Sequence, residues 1–257
     1  MAREGLIYLI TGASRGIGRS LTALLLSRPN NTVIAAVRKI DDDNAKALNA
    51  LPRESGSKII LVKLDGVVES DAHAAVDTLI KAHHIEHIDV VIANAGVNDS
   101  LPSVNETTPD NIRRTLDINV YAPLTLFQAT RSLLKASPSV PKFVIISSIA
   151  GSLDYISKSP LSNLSYSVSK AAVNVLGVRI AAEESDITTL LLHPGLVETD
   201  MVHEFIERHP SLKLELSKMD ALKVDDSSAN IVKVIDGAKK DDSGRFVDAT
   251  TGENIPW

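Results

Sequence analysis

Tyr166 and Lys170 stand four residues apart in a stretch of helical spacing, Ser165 to Glu184, so their side chains share one face and can meet in one pocket. An ammonium beside a phenol favours phenolate. The pairing is expected to lower the Tyr166 pKa from its reference of about 10 toward neutrality, the range a general acid or base needs. A second constellation lies near the start of the chain. Thr11-Gly12-Ala13-Ser14-Arg15-Gly16-Ile17-Gly18 follows a short apolar run and precedes a helical one. Its glycines let the backbone turn sharply, approach an anion closely and pack a helix on a strand, while helix N-terminal N–H groups face a pyrophosphate. A dinucleotide site is implied. A Walker-type phosphate loop is excluded, because neither Lys-Ser nor Lys-Thr follows Gly18.

The next discriminating position comes about 20 residues further on, where NAD-binding chains place a carboxylate on the ribose 2′-hydroxyl. Here Ala35-Ala36-Val37-Arg38 offers an apolar side chain and then a cation, and Arg15 in the glycine turn can reach the same region. Two guanidinium groups would pair with a 2′-phosphate, so NADP(H) is expected rather than NAD(H).

Other constellations carry less. His83-His84 and His87 end a polar helix with no carboxylate or cysteine set in a ligand pattern, so they read as a solvated helix end and no metal site is expected. Gly-x-Ser-x-Gly is absent around Ser148, and His193 before Pro194 has no triad partners, so a serine hydrolase is not expected. Asp41-Asp42-Asp43 reads as a helix N-terminus.

These residues need a scaffold. Short apolar runs recur at Leu6 to Ile10, Thr32 to Val37, Lys58 to Val62, Ile88 to Ile92, Phe143 to Ile146, Ile187 to Leu192 and Arg245 to Val247. Several are apolar at consecutive positions, as strands covered on both faces require. Helical stretches alternate with them: Gly18 to Arg28, closed by Pro29, then Asp41 to Leu51, Ser70 to His84, Asn119 to Ala136 and Ser165 to Glu184, with Asp110 to Asp117 running into the Asn119 helix. The expectation is an α/β chain forming a single doubly wound, Rossmann-type domain over residues 1–257, with a parallel sheet of about seven strands. Met201 to Ser228 is the least regular part. Its isolated apolar residues, Phe205, Ile206, Leu212, Leu214 and Leu216, suit either a lid over a pocket or a plain surface helical excursion.

Composition narrows the class. The chain has 257 residues, 44% hydrophobic and 23% charged, with scattered Gly and Pro and no linker-like tract, which excludes disordered and fibrous chains. Absence of cysteine removes disulfides, thiolate zinc sites and thiol nucleophiles. With 27 Lys and Arg against 32 Asp and Glu the net charge is −5, which argues against nucleic acid or an anionic membrane surface as a partner. Met1-Ala2-Arg3-Glu4-Gly5 leads directly into a strand-like run, and no stretch of about 18 apolar residues occurs, so a soluble, cytoplasmic protein is expected.

With these motifs in order, the sequence resembles the short-chain dehydrogenase/reductase family over nearly its whole length. The Thr11 to Gly18 turn is similar to that family's glycine turn, Asp65 to the residue that hydrogen-bonds adenine, and Asn94-Ala95-Gly96 to its Asn-Ala-Gly turn. Asn119, Ser148, Tyr166 and Lys170 match the family's catalytic tetrad, and Pro194-Gly195 with Val197 and Thr199 resembles the segment over the nicotinamide. Ser148 is assigned on its place before Ile149-Ala150-Gly151, with Ser147 as the other candidate. The resemblance implies cofactor contacts from Gly12, Ser14, Arg15, Gly16, Ile17, Gly18, Arg38, Asp65, Asn94, Ala95, Gly96, Tyr166, Lys170, Pro194, Gly195, Val197 and Thr199. It also implies a proton from Tyr166, a substrate oxygen held by Ser148 and a water anchored by Asn119.

The expected activity is NADPH-dependent reduction of a ketone or aldehyde of a moderately large apolar substrate, with a texture similar to the carbonyl-reductase branch that includes fungal norsolorinic-acid-type ketoreductases. Two alternatives stay open: a reductase-like NADP(H)-binding protein without turnover, and recruitment to a non-redox cyclisation or dehydration. One departure concerns spacing. Ser148 and Tyr166 are 18 positions apart, several more than the family's common interval, so the loop Ser152 to Asn163 is expected to be enlarged and to shape the substrate pocket. Relatives pack the helices after Asn119 and around Tyr166 between subunits, which implies a homodimer or homotetramer.

Overall fold

A computed structural model describes residues 5–98, 103–159, 163–208 and 221–257. Seven strands form one sheet: β1 (Ile7–Thr11), β2 (Thr32–Val37), β3 (Lys58–Lys63), β4 (Val90–Ala93), β5 (Lys142–Ile146), β6 (Thr188–His193) and β7 (Phe246–Asp248). Their order is β3-β2-β1-β4-β5-β6-β7, and every neighbouring pair is parallel. Strand order reverses between β1 and β4. In an open parallel sheet that is where the strands' carboxyl ends splay connections to opposite faces and leave a ligand crevice.

Consecutive apolar residues are explained by two cores, one on each face. Leu9, Val91, Phe143, Ile145 and Leu191 project to one side, under α3 (Asp71–His83), α5 (Ala122–Lys135) and α7 (Leu164–Glu183). Ile10, Ile92, Val144, Ile146 and Leu192 project to the other, under α1 (Gly16–Leu26) and a long helix, Val224–Gly237. Side chains alternate along each strand, so covering both faces demands apolar residues at every position.

Several boundaries differ from the sequence expectation. The segment expected as one helix from Asp41 forms a single turn, α2 (Asp43–Lys46), and a 3-10 turn, Ala47–Ala50, before Pro52; Asp42 caps it by accepting the Asn44 amide at 3.0 Å. As expected, a helix before Asn119, α4 (Pro109–Leu116), capped by Thr108 and Asn111, runs into the one after it, but the junction is a π-helical turn, Asp117–Tyr121, leading into α5. Pro123 is the cause. It stands four residues after Asn119, has no N–H to donate to that carbonyl and crowds it with its ring, and the turn just before it is widened, with the Ala122 amide reaching Asp117 O, five residues back.

The region expected to be irregular holds α8 (Asp200–Arg208) and ends in the long helix Val224–Gly237, here α9. Ile231, Val232 and Ile235 of α9 are buried, at a spacing that carries the helical signal. Leu212, Leu214 and Leu216 lie outside the described residues, as do the side chains of Phe205 and Ile206, residues 160–162 of the enlarged loop and residues 1–4.

Asp89, one residue before β4, ties the central strands together at the amino edge. Its buried carboxylate accepts the Ile7 amide at 2.8 Å and the Ser137 and Ser139 hydroxyls at 2.6 and 2.8 Å. Asp89→Ala strands these donors, and urea unfolding should register a loss of about 2–3 kcal/mol.

Candidate active site

A cleft of about 900 Å³ opens along the carboxyl ends of β1, β2 and β4 to β6. At its β1 end the glycine turn is held by residues expected to serve a ligand. Thr11, itself buried, accepts the Asn94 and Ala95 amides on its hydroxyl, both at 3.0 Å. The Asn94 side chain donates to Thr11 O at 2.9 Å, so its amide clamps β1 to β4. Gly12 and Gly16 have φ of +65° and +52°, where a side chain is strained. A Cβ on Gly18 would lie 2.3 Å from Gly12 O and 2.6 Å from Asn94 Nδ2. Gly18 therefore acts behind the cleft, by letting α1 close on the turn, and is absent from the lining.

Arg15 and Arg38 line the β2 end together with Lys39, which the sequence reading passed over although it directly follows Arg38. Arg15 also reaches across the cleft to Glu204 of α8, at 3.5 Å. Both partners are half exposed, so solvent screens the pair. Asp65 accepts the Val67 amide at 3.2 Å and faces the same cleft. On the far side, Pro194, Gly195, Val197 and Thr199 form a lip, and Thr199 Cγ2 lies within 3.6 Å of where a Gly16 Cβ would stand.

The β5 end brings the reactive groups together. Lys170 Nζ is buried and donates to Ile146 O, the last residue of β5, at 2.8 Å, and it sits 5.5 Å from the centroid of the Tyr166 ring. Ser148 stands close enough to the Tyr166 hydroxyl to favour its phenolate. Ser147, by contrast, is buried and donates to Asn174 Oδ1 at 2.6 Å, so of the two serines it is Ser148 that meets the tyrosine.

Asn119 is buried behind the cleft and does not line it. Its Nδ2 donates to Val97 O and Ser169 Oγ, both at 2.9 Å, while Oδ1 accepts the Val97 amide at 2.9 Å. Both donor hydrogens of the side chain are thus spent on protein, which joins the loop after β4 to α7.

Charge behaviour corrects the expectation for Tyr166. Its pKa is pushed up to about 12, because burial of the phenolate outweighs the nearby Ser148, which lowers it. Burial also brings Lys170 down to about 8. The ammonium stands over the ring, loses much of its own hydration and does not offset the cost of a buried phenolate. At neutral pH the phenol therefore holds its proton, ready to donate it.

His193, at the end of β6, is a cleft residue that sequence reasoning considered only as a triad base. Burial holds its pKa well below the ordinary range, against the opposing Asp248 carboxylate, and its Nδ1 has no partner. Its position after a buried strand and before Pro194-Gly195 was the available signal. Among the described residues no group of three His, Asp or Glu side chains could hold a metal ion, and no helix is long and apolar enough to cross a membrane.

With the geometry in place, comparison with known proteins defines the class. The short chain dehydrogenase family pattern matches residues 6–210, and the chain belongs to that family. It is 40% identical over 252 residues to a short chain dehydrogenase of Penicillium aethiopicum, covering 97% of this chain and 98% of that one. It is 39% identical over 259 residues to the norsolorinic acid ketoreductase of Aspergillus parasiticus, covering 99% and 92%. Among solved structures, an NADPH-bound carbonyl reductase from chicken fatty liver superimposes with a TM-score of 0.83 at 28% identity, covering 99% of this chain and 100% of that one.

The buried lysine sets a signature in stability. Its folded pKa of about 8 lies below the ordinary 10.5, so between those values the unfolded chain keeps a proton that the folded one has released. Raising the pH through that window favours the folded state. In Lys170→Met this contribution should vanish, so wild type should gain stability relative to the variant between pH 8 and 10, measured by urea unfolding.

Proposed function

We propose that the protein is an NADP(H)-dependent carbonyl reductase that takes a moderately large apolar ketone or aldehyde. The observation that carries this reading is the enclosed Tyr166 phenol, beside Ser148 and backed by buried Lys170, at the carboxyl end of β5 in a dehydrogenase cleft.

The residues fit the cofactor. The glycine turn offers close backbone approach at Gly12 and Gly16, both at positive φ and both in the cleft lining, and Arg15, Arg38 and Lys39 gather cations at the β2 end to receive a 2′-phosphate. Ser14, Gly16 and Ile17 would line the pyrophosphate, Asp65 the adenine, and Ala95, Gly96, Pro194, Gly195, Val197 and Thr199 the nicotinamide end. When bound, NADPH supplies a hydride for the carbonyl carbon.

The chain's own groups manage the oxygen. Ser148 donates a hydrogen bond to the substrate oxygen, and Tyr166 transfers its phenolic proton there as negative charge develops. Lys170 stabilises the phenolate left behind, although burial opposes that charge before reaction. Asn119 keeps α7 and the loop after β4 in register, so Tyr166 and Lys170 keep their aim. Tyr155 and Ile156, with the lip from Pro194 to Val202, give the substrate end its apolar character.

Exposed Tyr121, Val175 and Val178 on the π-helical turn and α7 favour a homo-oligomer in our reading, and the sequence composition favours the cytoplasm. In the same reading α8 takes the part of a lid within a single cofactor-binding domain; residues 209–220 of the expected lid lie outside the described residues.

Tyr166→Phe keeps the ring and removes the proton. Its kcat for carbonyl reduction should drop by about 10²- to 10⁴-fold with NADPH affinity retained, in assays following NADPH absorbance; undiminished turnover would refute the proton-donor role. Replacing Arg15 and Arg38 together with Ala should raise KM for NADPH about ten- to a hundredfold and leave KM for NADH nearly unchanged, and a wild type that prefers NADH would overturn the cofactor choice.

A further inference from the structure

The long interval between Ser148 and Tyr166 contains a short helix, α6 (Leu153–Ile156), and its Tyr155 and Ile156 form part of the cleft wall. A single turn of helix is not stable alone, and no side chain of α6 is fully buried. Something else must hold that wall. Ser152 accepts the Tyr155 amide at 3.1 Å, which fixes the turn internally. The Asp154 amide donates at 3.2 Å to the carbonyl oxygen of Trp257, on the far side of the sequence.

Trp257 is itself firmly placed. Gly252, with φ of +78°, turns the chain back along β7. The Asp248 amide donates to Glu253 O at 2.9 Å, the Ile255 amide to Phe246 O at 2.8 Å, and Arg245 Nε to Asn254 Oδ1 at 2.8 Å. The indole stacks on Phe246 with centroids 5.5 Å apart and planes 25° from parallel. Phe246 is a fully buried residue of the edge strand, whereas Trp257 is 53% exposed. One face of the indole thus takes its position from the core while the residue contributes little to filling it.

We propose that Trp257 is a positioning residue for substrate selection, strapping the α6 wall to the edge of the sheet and so setting the width of the substrate end of the cleft. This rests on the reductase reading above. Trp257 touches neither the cleft nor the reactive groups; its effect passes through the Asp154 amide to Tyr155 and Ile156. A large substrate meets that wall. A small ketone held by Ser148 and Tyr166 does not, and the cofactor end at β1 and β2 is remote from it.

The test compares wild type, Trp257→Ala and Trp257→Phe in NADPH-dependent reduction of a large probe, 9,10-phenanthrenequinone, and a small one, ethyl acetoacetate, alongside amide hydrogen exchange. In Trp257→Ala, KM for the quinone should rise about three- to tenfold, the size expected for a lost aromatic pair, with KM for the ketoester and for NADPH unchanged. Exchange at Asp154 and Tyr155 should quicken while β5 and α7 keep their protection, and Trp257→Phe should restore both readouts. An unchanged ratio of kcat/KM for the two probes, unchanged exchange at Asp154, or an NADPH KM that rises as much as the quinone's would each overturn the strap. A wild type that reduces neither probe would instead count against the reductase reading, and the exchange experiment would still decide whether Trp257 holds α6.

Discussion

An ammonium buried against a strand end is the constraint around which the reactive half of the molecule is arranged. Lys170 gives up most of its hydration and recovers one strong hydrogen bond, to Ile146 O, which is possible because α7 lies close to the carboxyl end of β5. That contact fixes how α7 is rotated. Tyr166, one turn earlier on the same face, is then carried to Ser148, the second residue after the strand. Moving the helix along its axis would break the bond and leave an unpaired buried charge, so the geometry of the phenol is enforced by the cost of desolvating the amine.

The anion-binding half is organised differently, through backbone shape. Thr11, Gly12 and Asn94 form a small network in which the hydroxyl accepts two amides and the carboxamide returns a bond to the turn. Such a network leaves few buried backbone groups unsatisfied and keeps the turn open to a ligand. Asn119 plays the corresponding part between the two halves, joining the loop after β4 to α7 through Val97 and Ser169. Residues that a motif marks as functional thus divide into those that face the cleft and those that hold others in place.

Much of this was legible in the residue order. Consecutive apolar runs require burial on both faces, and the glycine turn between a strand and a helix has few other uses. The legible parts are those whose signal is local. α9 was overlooked because polar residues at its start mask the Ile231, Val232, Ile235 pattern, which matters only once α1 covers it. The π-helical turn hinges on the missing N–H of Pro123, a local fact whose consequence depends on whether the chain continues as helix on both sides. The expected drop in the Tyr166 pKa failed for a different reason: proximity of two side chains along a helix can be counted, but the depth at which they sit cannot.

By itself, then, the sequence determined the class of scaffold, the order of its strands along the chain, the anion-binding turn, and the presence of a phenol, an amine and a hydroxyl at intervals suited to carbonyl chemistry. Folding decided which serine lies by the phenol, that Gly18 and Asn119 sit behind the cleft while Asn94 both lines it and clamps the turn, and that the phenol keeps its proton. It also brought Trp257 to Asp154 and the α6 wall. The division follows from range: helix face, strand alternation and turn conformation are set by near neighbours, whereas burial, electrostatic cost and contacts between distant segments exist only when the whole chain is packed.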